Sequence, residues 1–424
     1  MYQTYLKEKG FLVLVQLEKE RNPWPLEEQA AEFKNLVISS GIEVVHLEVV
    51  KRKEISPHLY IGKGKSEEIA QLIQATEASV VIFNNNLTFT QQRNLEDIFG
   101  IKTIDRTQLI LDIFARHAHT EEGALQVELA QLEYLLPRLK GKGIMLSRLG
   151  GGIGTRGPGE KKLEVDRRRI SDRIVRLKKK LDDVRKHRDI QRKKRHKEGI
   201  KMCSLVGYTN AGKSTLLNAL TGATQKTSDS LFTTLDPVSR TLNLSNHLKV
   251  ILSDTVGFIY NLPPSLIEAF KATLEELYHA NLLIHVVDIS NDNYKRLIAA
   301  VHTILNELKL EDKPLITVFN KVDKIEEAYL DRIKLEYPDA EFVSALKEIN
   351  LDKLKNTIKN IITSGDKCYL LKVPFNEMDI IDYLYKKAQV SKIEYTESNA
   401  TVWVRMDANL RPYLEKRSVE IKEI

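Results

Sequence analysis

The chain is poor in cysteine and has no long apolar run. Two cysteines in 424 residues, Cys203 and Cys368, cannot build a disulfide framework or a zinc site, so a reduced, cytoplasmic setting is expected. Cys203, in an apolar run, reads as a small buried side chain. No stretch of about eighteen apolar residues exists, so no membrane span is expected. The start, Met1 to Glu8, lacks a basic segment followed by an apolar core, and neither secretion nor organelle import is indicated. Net charge is only +7, but it is unevenly placed. Residues 161–199 hold 18 Lys plus Arg against 7 Asp plus Glu, a local +11 that leaves −4 for the rest. A basic partner surface, if present, is therefore local.

What is there begins with Gly207-Tyr208-Thr209-Asn210-Ala211-Gly212-Lys213-Ser214. It follows the apolar strand candidate Met202 to Val206 and leads, through Thr215, into a helical pattern. That is the strand-to-helix setting a phosphate-binding P-loop requires. Its glycines let successive N–H groups converge on one phosphate, and the helix N-terminus adds positive potential. Lys213 would neutralise the outer phosphates and catalyse, and Ser214 would bind Mg²⁺. A glycine turn with no ligand is the alternative, and the partner motifs argue against it.

Those partners follow in order. Within Phe232-Thr233-Thr234-Leu235-Asp236, Thr234 is the expected switch residue, its hydroxyl on Mg²⁺ and its N–H at the γ-phosphate. Asp254-Thr255-Val256-Gly257 places Asp254 near Mg²⁺ and the Gly257 N–H at the γ-phosphate. Loss of that phosphate would free both loops. Asn320-Lys321-Val322-Asp323 selects the base, because a carboxylate at Asp323 accepts from N1–H and the 2-amino group of guanine, whereas adenine offers neither. Ser344-Ala345-Leu346 would complete the pocket, with the Ala345 N–H aimed at guanine O6. The residue after Gly257, where many GTPases carry a water-orienting glutamine, is Phe258. Either another group positions the water or hydrolysis waits for a partner; simple packing of Phe258 is compatible with both.

The expected architecture is a multidomain α/β chain. Alternating strand and helix signals predict an N-terminal α/β domain over 1–106, where Gly62-Lys63-Gly64-Lys65 reads as an ordinary turn or an anion loop. Leu125, Leu129, Leu132, Leu136 and Leu139, then Ile170, Ile174, Leu177, Leu181 and Val184, repeat at 4-3-4-3 spacing and predict an antiparallel helical hairpin over 107–199, joined by the Gly-rich loop Gly150 to Glu160. Its charged arm is either a solvated face or a nucleic-acid contact, and the sign imbalance favours RNA or DNA. A P-loop domain with a mostly parallel sheet is expected over 200–365, and a small α+β domain without a chemical motif over 366–424.

Asp105-Arg106-Thr107, Leu109 to Ala115, Leu125 to Leu132, Gly151 to Glu160 and Asp254 to Ile259 together resemble the HflX family of ribosome-associated GTPases, over nearly the whole chain. Lys161-Lys162 departs from the neutral residues usual there. The resemblance implies GTP hydrolysis with Mg²⁺, binding to the 50S subunit and the 70S ribosome through ribosomal RNA, and splitting of stalled or stress-inactivated ribosomes by a partly ribosome-associated monomer. Arg148, Arg156, Arg167, Arg168 and Arg169 are the expected RNA contacts, and Asn210 matches a position that in related GTPases helps hold K⁺. The rival readings are an RNA-binding assembly module with GTP as a structural ligand, which Phe258 allows, and an RNA-remodelling ATPase, which Asp323 opposes.

Overall fold

The computed structural model describes residues 7–18, 24–139, 158–197, 200–223, 238–245, 248–259, 263, 271–396 and 398–424, in two compact units whose sequence boundary falls between Val184 and Arg185. Among the described residues no helix is long and apolar enough to cross a membrane.

The first unit alternates β1 (Lys9–Leu17), α1 (Leu26–Ser39), β2 (Glu43–Arg52), α2 (Lys63–Thr76), β3 (Val80–Phe83), α3 (Phe89–Phe99) and β4 (Lys102–Ile104). The sheet is parallel throughout, in the order β2-β1-β3-β4. Phe11 to Val15 and Val80 to Phe83 are buried without alternation, as strands covered on both faces must be. A reciprocal capping box between Thr88 and Gln91 starts α3. The Gly62–Lys65 segment is a helix start and not a separate turn. Gly62, at φ +85°, precedes α2, Lys63 to Lys65 form its first turn, and Lys65 is held by Glu48 at 2.8 Å and Glu68 at 2.6 Å.

Three helices follow: α4 (Arg106–His117), α5 (Glu121–Leu139) and α6 (Pro158–Lys197). Leu125, Leu129, Leu132 and Leu136 of α5 share one core with Ile170, Ile174, Leu177 and Leu181 of α6. If these leucines and isoleucines are assigned to the a and d positions, Glu128 and Arg173 are both g, and Glu133 and Lys178 are both e. The pairs Glu128–Arg173 at 2.7 Å and Glu133–Lys178 at 2.8 Å thus join like positions, as an antiparallel pair does. The loop expected at Gly150 to Glu160 lies outside the described residues up to 157.

The second unit contains β5 (Lys201–Val206), α7 (Lys213–Thr221), β6 (Val238–Asn243), β7 (Lys249–Asp254), α8 (Lys271–His279), β8 (Leu282–Asp288), α9 (Tyr294–Glu307), β9 (Leu315–Asn320), α10 (Glu327–Glu336), β10 (Glu341–Phe342) and α11 (Leu351–Ile362). The sheet order is β10-β9-β8-β5-β7-β6, parallel except for β6, which runs antiparallel to β7. β5 has β8 on one side and β7 on the other, so its carboxyl end opens the crevice where such sheets take ligands.

The remaining elements are β11 (Lys367–Pro374), α12 (Asp379–Lys387), β12 (Gln389–Tyr395), β13 (Asn399–Met406), α13 (Arg411–Glu415) and β14 (Glu420–Glu423). This βαββαβ order forms an antiparallel sheet β12-β13-β11-β14, a ferredoxin-like arrangement. Tyr369, Leu371, Val373, Val402 and Val404 pack with Ile380, Leu384 and Leu414 of the two helices.

Candidate functional site

The loop leaving β5 depends on three unusual backbone positions. Gly207 lies against β8, and a Cβ there would fall 2.3 Å from the Val286 carbonyl oxygen. Asn210 at φ +61° and Gly212 at φ +89° lie in the left-handed region. A Cβ on Gly212 would fall 2.3 Å from the Asn320 amide nitrogen, so glycine lets the base-side strand touch the phosphate-side loop. α7 starts at Lys213, with Ser214 and Thr215 half-buried in its first turn.

Lys213 is buried, and its Nζ donates to the carbonyls of Gly207 at 3.1 Å and Tyr208 at 2.8 Å. Burial pushes its pKa down to about 8, with the Asp254 carboxylate pulling the other way. Ser214 Oγ donates to Asp254 Oδ2 at 2.5 Å, bringing together the hydroxyl and carboxylate expected to share an ion. A Cβ on Gly257 would fall 2.7 Å from Thr209 Cγ2 and 3.1 Å from Lys213 Nζ, so the Asp254 loop lies directly on the P-loop. Two backbone bonds fix that contact: Thr209 N–H donates to the Phe258 carbonyl at 2.9 Å, and Phe258 N–H to the Gly207 carbonyl at 3.1 Å. The Phe258 side chain is 3% exposed, so it packs inside. The Thr255 hydroxyl is spent on the Leu205 carbonyl at 2.7 Å, and Val256 is buried. Both side chains anchor the loop to the protein interior.

At the base-side end, Asn320 links three segments. Its Nδ2 donates to the Ala211 carbonyl at 3.0 Å, and its Oδ1 accepts from the Ala345 N–H at 3.0 Å. That N–H, expected to point at guanine O6, is thus directed at Asn320 in this structure. Asp323 is exposed and accepts from Ser344 Oγ at 2.5 Å, while Val322 is buried and Leu346 is 71% exposed. Lys321 Nζ reaches the Asn210 carbonyl at 2.9 Å and Asp288 Oδ2 at 2.7 Å. Asp288 belongs to none of the sequence motifs; it closes the apolar run of β8 beside Asn320 in the sheet.

Phe232 to Asp236, including Thr234, lie outside the described residues, as do Arg148 and Arg156. Arg167, Arg168 and Arg169 are exposed on α6. Not all of the arm's charge is free, since Arg173 and Lys178 are paired to α5 and Arg185 to Glu275.

Three family models match successive segments: a GTP-binding GTPase N-terminal region over 27–115, a GTP-binding GTPase middle region over 117–195, and a 50S ribosome-binding GTPase over 202–321. GTPase HflX of Caldanaerobacter subterraneus subsp. tengcongensis is 44% identical, covering 96% of this chain and 93% of that protein. GTPase HflX of Escherichia coli K12 is 41% identical, covering 88% of each. Among solved structures, a GTP-binding protein from the archaeon Sulfolobus solfataricus in complex with GDP is 28% identical over 84% of this chain and 99% of its own, with a TM-score of 0.43. Relatives at this identity, matched along most of both chains, place this protein in the HflX family, and it is a GTPase.

Proposed function

We propose that this GTPase binds the 50S subunit and uses its nucleotide cycle to split stalled or stress-inactivated 70S ribosomes. The observation that carries the reading is the match of residues 202–321 to the 50S ribosome-binding GTPases. Exposed Arg167, Arg168 and Arg169 on α6 support a ribosomal RNA contact, with Arg148 and Arg156 proposed to extend it. The proposal includes a cytoplasmic monomer with domains at 1–106, 107–199, 200–365 and 366–424.

In this reading the P-loop amides of residues 207–215 hold the phosphates, and Lys213 turns from its loop carbonyls to the outer phosphates. The Ser214 hydroxyl and Asp254 carboxylate are hard oxygen donors 2.5 Å apart, the kind that Mg²⁺ accepts alongside phosphate oxygens, so the residues fit the ion. Bound magnesium neutralises charge on the phosphoryl oxygens. Thr234 and the Gly257 N–H meet the γ-phosphate, and Asp323 reads guanine once Ser344 yields its hydrogen bond. A K⁺ site rests on Asn210 alone. Buried Phe258 presents no water-orienting group, so hydrolysis depends on the ribosome.

Sucrose-gradient sedimentation of 70S ribosomes with the purified protein and GTP tests the reading. Conversion of 70S to separate subunits, with the protein on the 50S peak, is expected. An unchanged 70S peak with no comigrating protein would refute it.

A further inference from the structure

The C-terminal sheet has two faces, and its helices cover only one. Strand alternation sends Tyr369, Leu371, Val402 and Val404 into the core beneath α12 and α13. The opposite face carries one continuous row across all four strands. Lys392 of β12 pairs with Trp403 of β13, Trp403 with Leu370 of β11, and Leu370 with Lys422 of β14. Trp403 and Leu370 are half-buried, whereas Lys392 and Lys422 are exposed. The Lys392 ammonium lies 5.2 Å from the Trp403 ring centroid. In neighbouring rows, exposed Lys372 and Arg405 add two further cations on the central strands.

This pattern has a chemical reading. An indole on a central strand of a four-stranded antiparallel sheet can take a stacked unpaired base in place of the Lys392 ammonium now over its ring, and exposed cations flank it on the same face. Four cations on the face, Lys372, Lys392, Arg405 and Lys422, outnumber the two carboxylates, Glu394 and Glu420. Lys372 is paired to Glu420 at 3.0 Å, Lys392 to Glu394, and Arg405 Nη2 donates to the Thr363 carbonyl at 3.2 Å, whereas Lys422 makes no ion pair among the described residues. A duplex would offer no open base face to the indole, and an acidic protein surface would make no use of its flatness.

We propose that this face is a second nucleic-acid site, in which single-stranded RNA lies across the sheet, one base stacks on Trp403, and Lys422, Arg405 and Lys392 engage the phosphates. It is distinct from the helical arm, and it does not depend on ribosome splitting.

The chain has two tryptophans, and Trp24 is 7% exposed, so indole fluorescence can isolate the site. In full-length protein carrying Trp24→Phe, with GDP bound, titration with oligouridylate should quench Trp403 fluorescence saturably. Adding Arg167→Ala, Arg168→Ala and Arg169→Ala should leave that quenching in place. In the parent background, Trp403→Ala should weaken oligouridylate binding about tenfold, as expected for loss of one stacked base, while Trp403→Phe retains most of it. Lys422→Ala, an exposed change with little risk to folding, should flatten the dependence of log affinity on log salt by about 0.7. Multiple-turnover GTP hydrolysis should be unchanged in all these single variants. Absence of quenching at low salt, or Trp403→Ala and Lys422→Ala binding as the parent does, would overturn the proposal. So would stronger quenching by polyglutamate than by oligouridylate, which would identify an acidic protein partner instead.

Discussion

His285 lies on β8 beside the P-loop with 1% of its surface exposed, edge-on to His302 at 5.6 Å. Burial chiefly, with His302 and Lys213 nearby, pushes its pKa down to about 3. The unfolded chain binds that proton near pH 6.5 and the folded chain does not until about pH 3, so stability is full above pH 6.5 and falls as pH drops through this window. Each unit costs about 1.4 kcal/mol, so lowering the pH from 6.5 to 5 should remove about 2 kcal/mol from the GTPase domain. Denaturant unfolding at several pH values checks this. His285→Leu should shrink the acid loss, and an equal loss in parent and variant would rule the residue out. Nothing in the sequence marked His285, because a lone histidine in an apolar run has no spacing to read. Lys213, Ser214, Asn320 and Asp323 stood out as candidates because phosphate and guanine chemistry demands those residue types in that order, and the fold brings Ser214 to Asp254 and Asn320 to the P-loop. Asp288 and the Thr255 anchor depend on which strands become neighbours, which local pattern does not encode.

At the scale of elements, Asp105 joins parts of the first unit that are distant in sequence. Fully buried, it caps α4 through the Gln108 N–H at 2.9 Å and accepts from the Leu87 N–H at 3.2 Å, the Tyr134 hydroxyl at 2.7 Å and Arg138 at 3.1 Å. Burial and then the Asp105 charge raise the Tyr134 pKa well above the usual phenol range, which keeps the hydroxyl a donor. Asp105→Ala would leave the Tyr134 hydroxyl without this partner and Arg138 without its counter-charge, though still bonded to the Tyr134 and Leu87 carbonyls, and should cost about 3 kcal/mol in the unfolding transition of the N-terminal region. A loss below about 1 kcal/mol would show that these bonds are incidental. The 4-3-4-3 stripes made the hairpin readable because heptad spacing survives without tertiary knowledge. β6 and β14 were not readable, since an edge strand such as Val238–Asn243 buries only Leu242 fully and a four-residue strand such as Glu420–Glu423 carries almost no period. At Gly62–Lys65 two glycines suggest a turn, whereas the chain enters α2 at Lys63.

For the whole molecule, the uneven charge and the nucleotide cycle belong to one account. The local excess of +11 is partly offset by the α5 carboxylates Glu128 and Glu133, which pair with Arg173 and Lys178, and what remains exposed on α6 is suited to phosphate. Among the described residues, Ser214 meets Asp254 and Asn320 joins the P-loop to Ala345, while the residue after Gly257 is a buried phenylalanine. A site so arranged should turn over slowly by itself and faster on its target. The most direct measurement is multiple-turnover GTP hydrolysis by the full-length protein with and without purified 50S subunits. At least about a tenfold acceleration by 50S, or about 1.4 kcal/mol of barrier, is expected, and equal rates with and without the subunit would rule out activation by the large subunit.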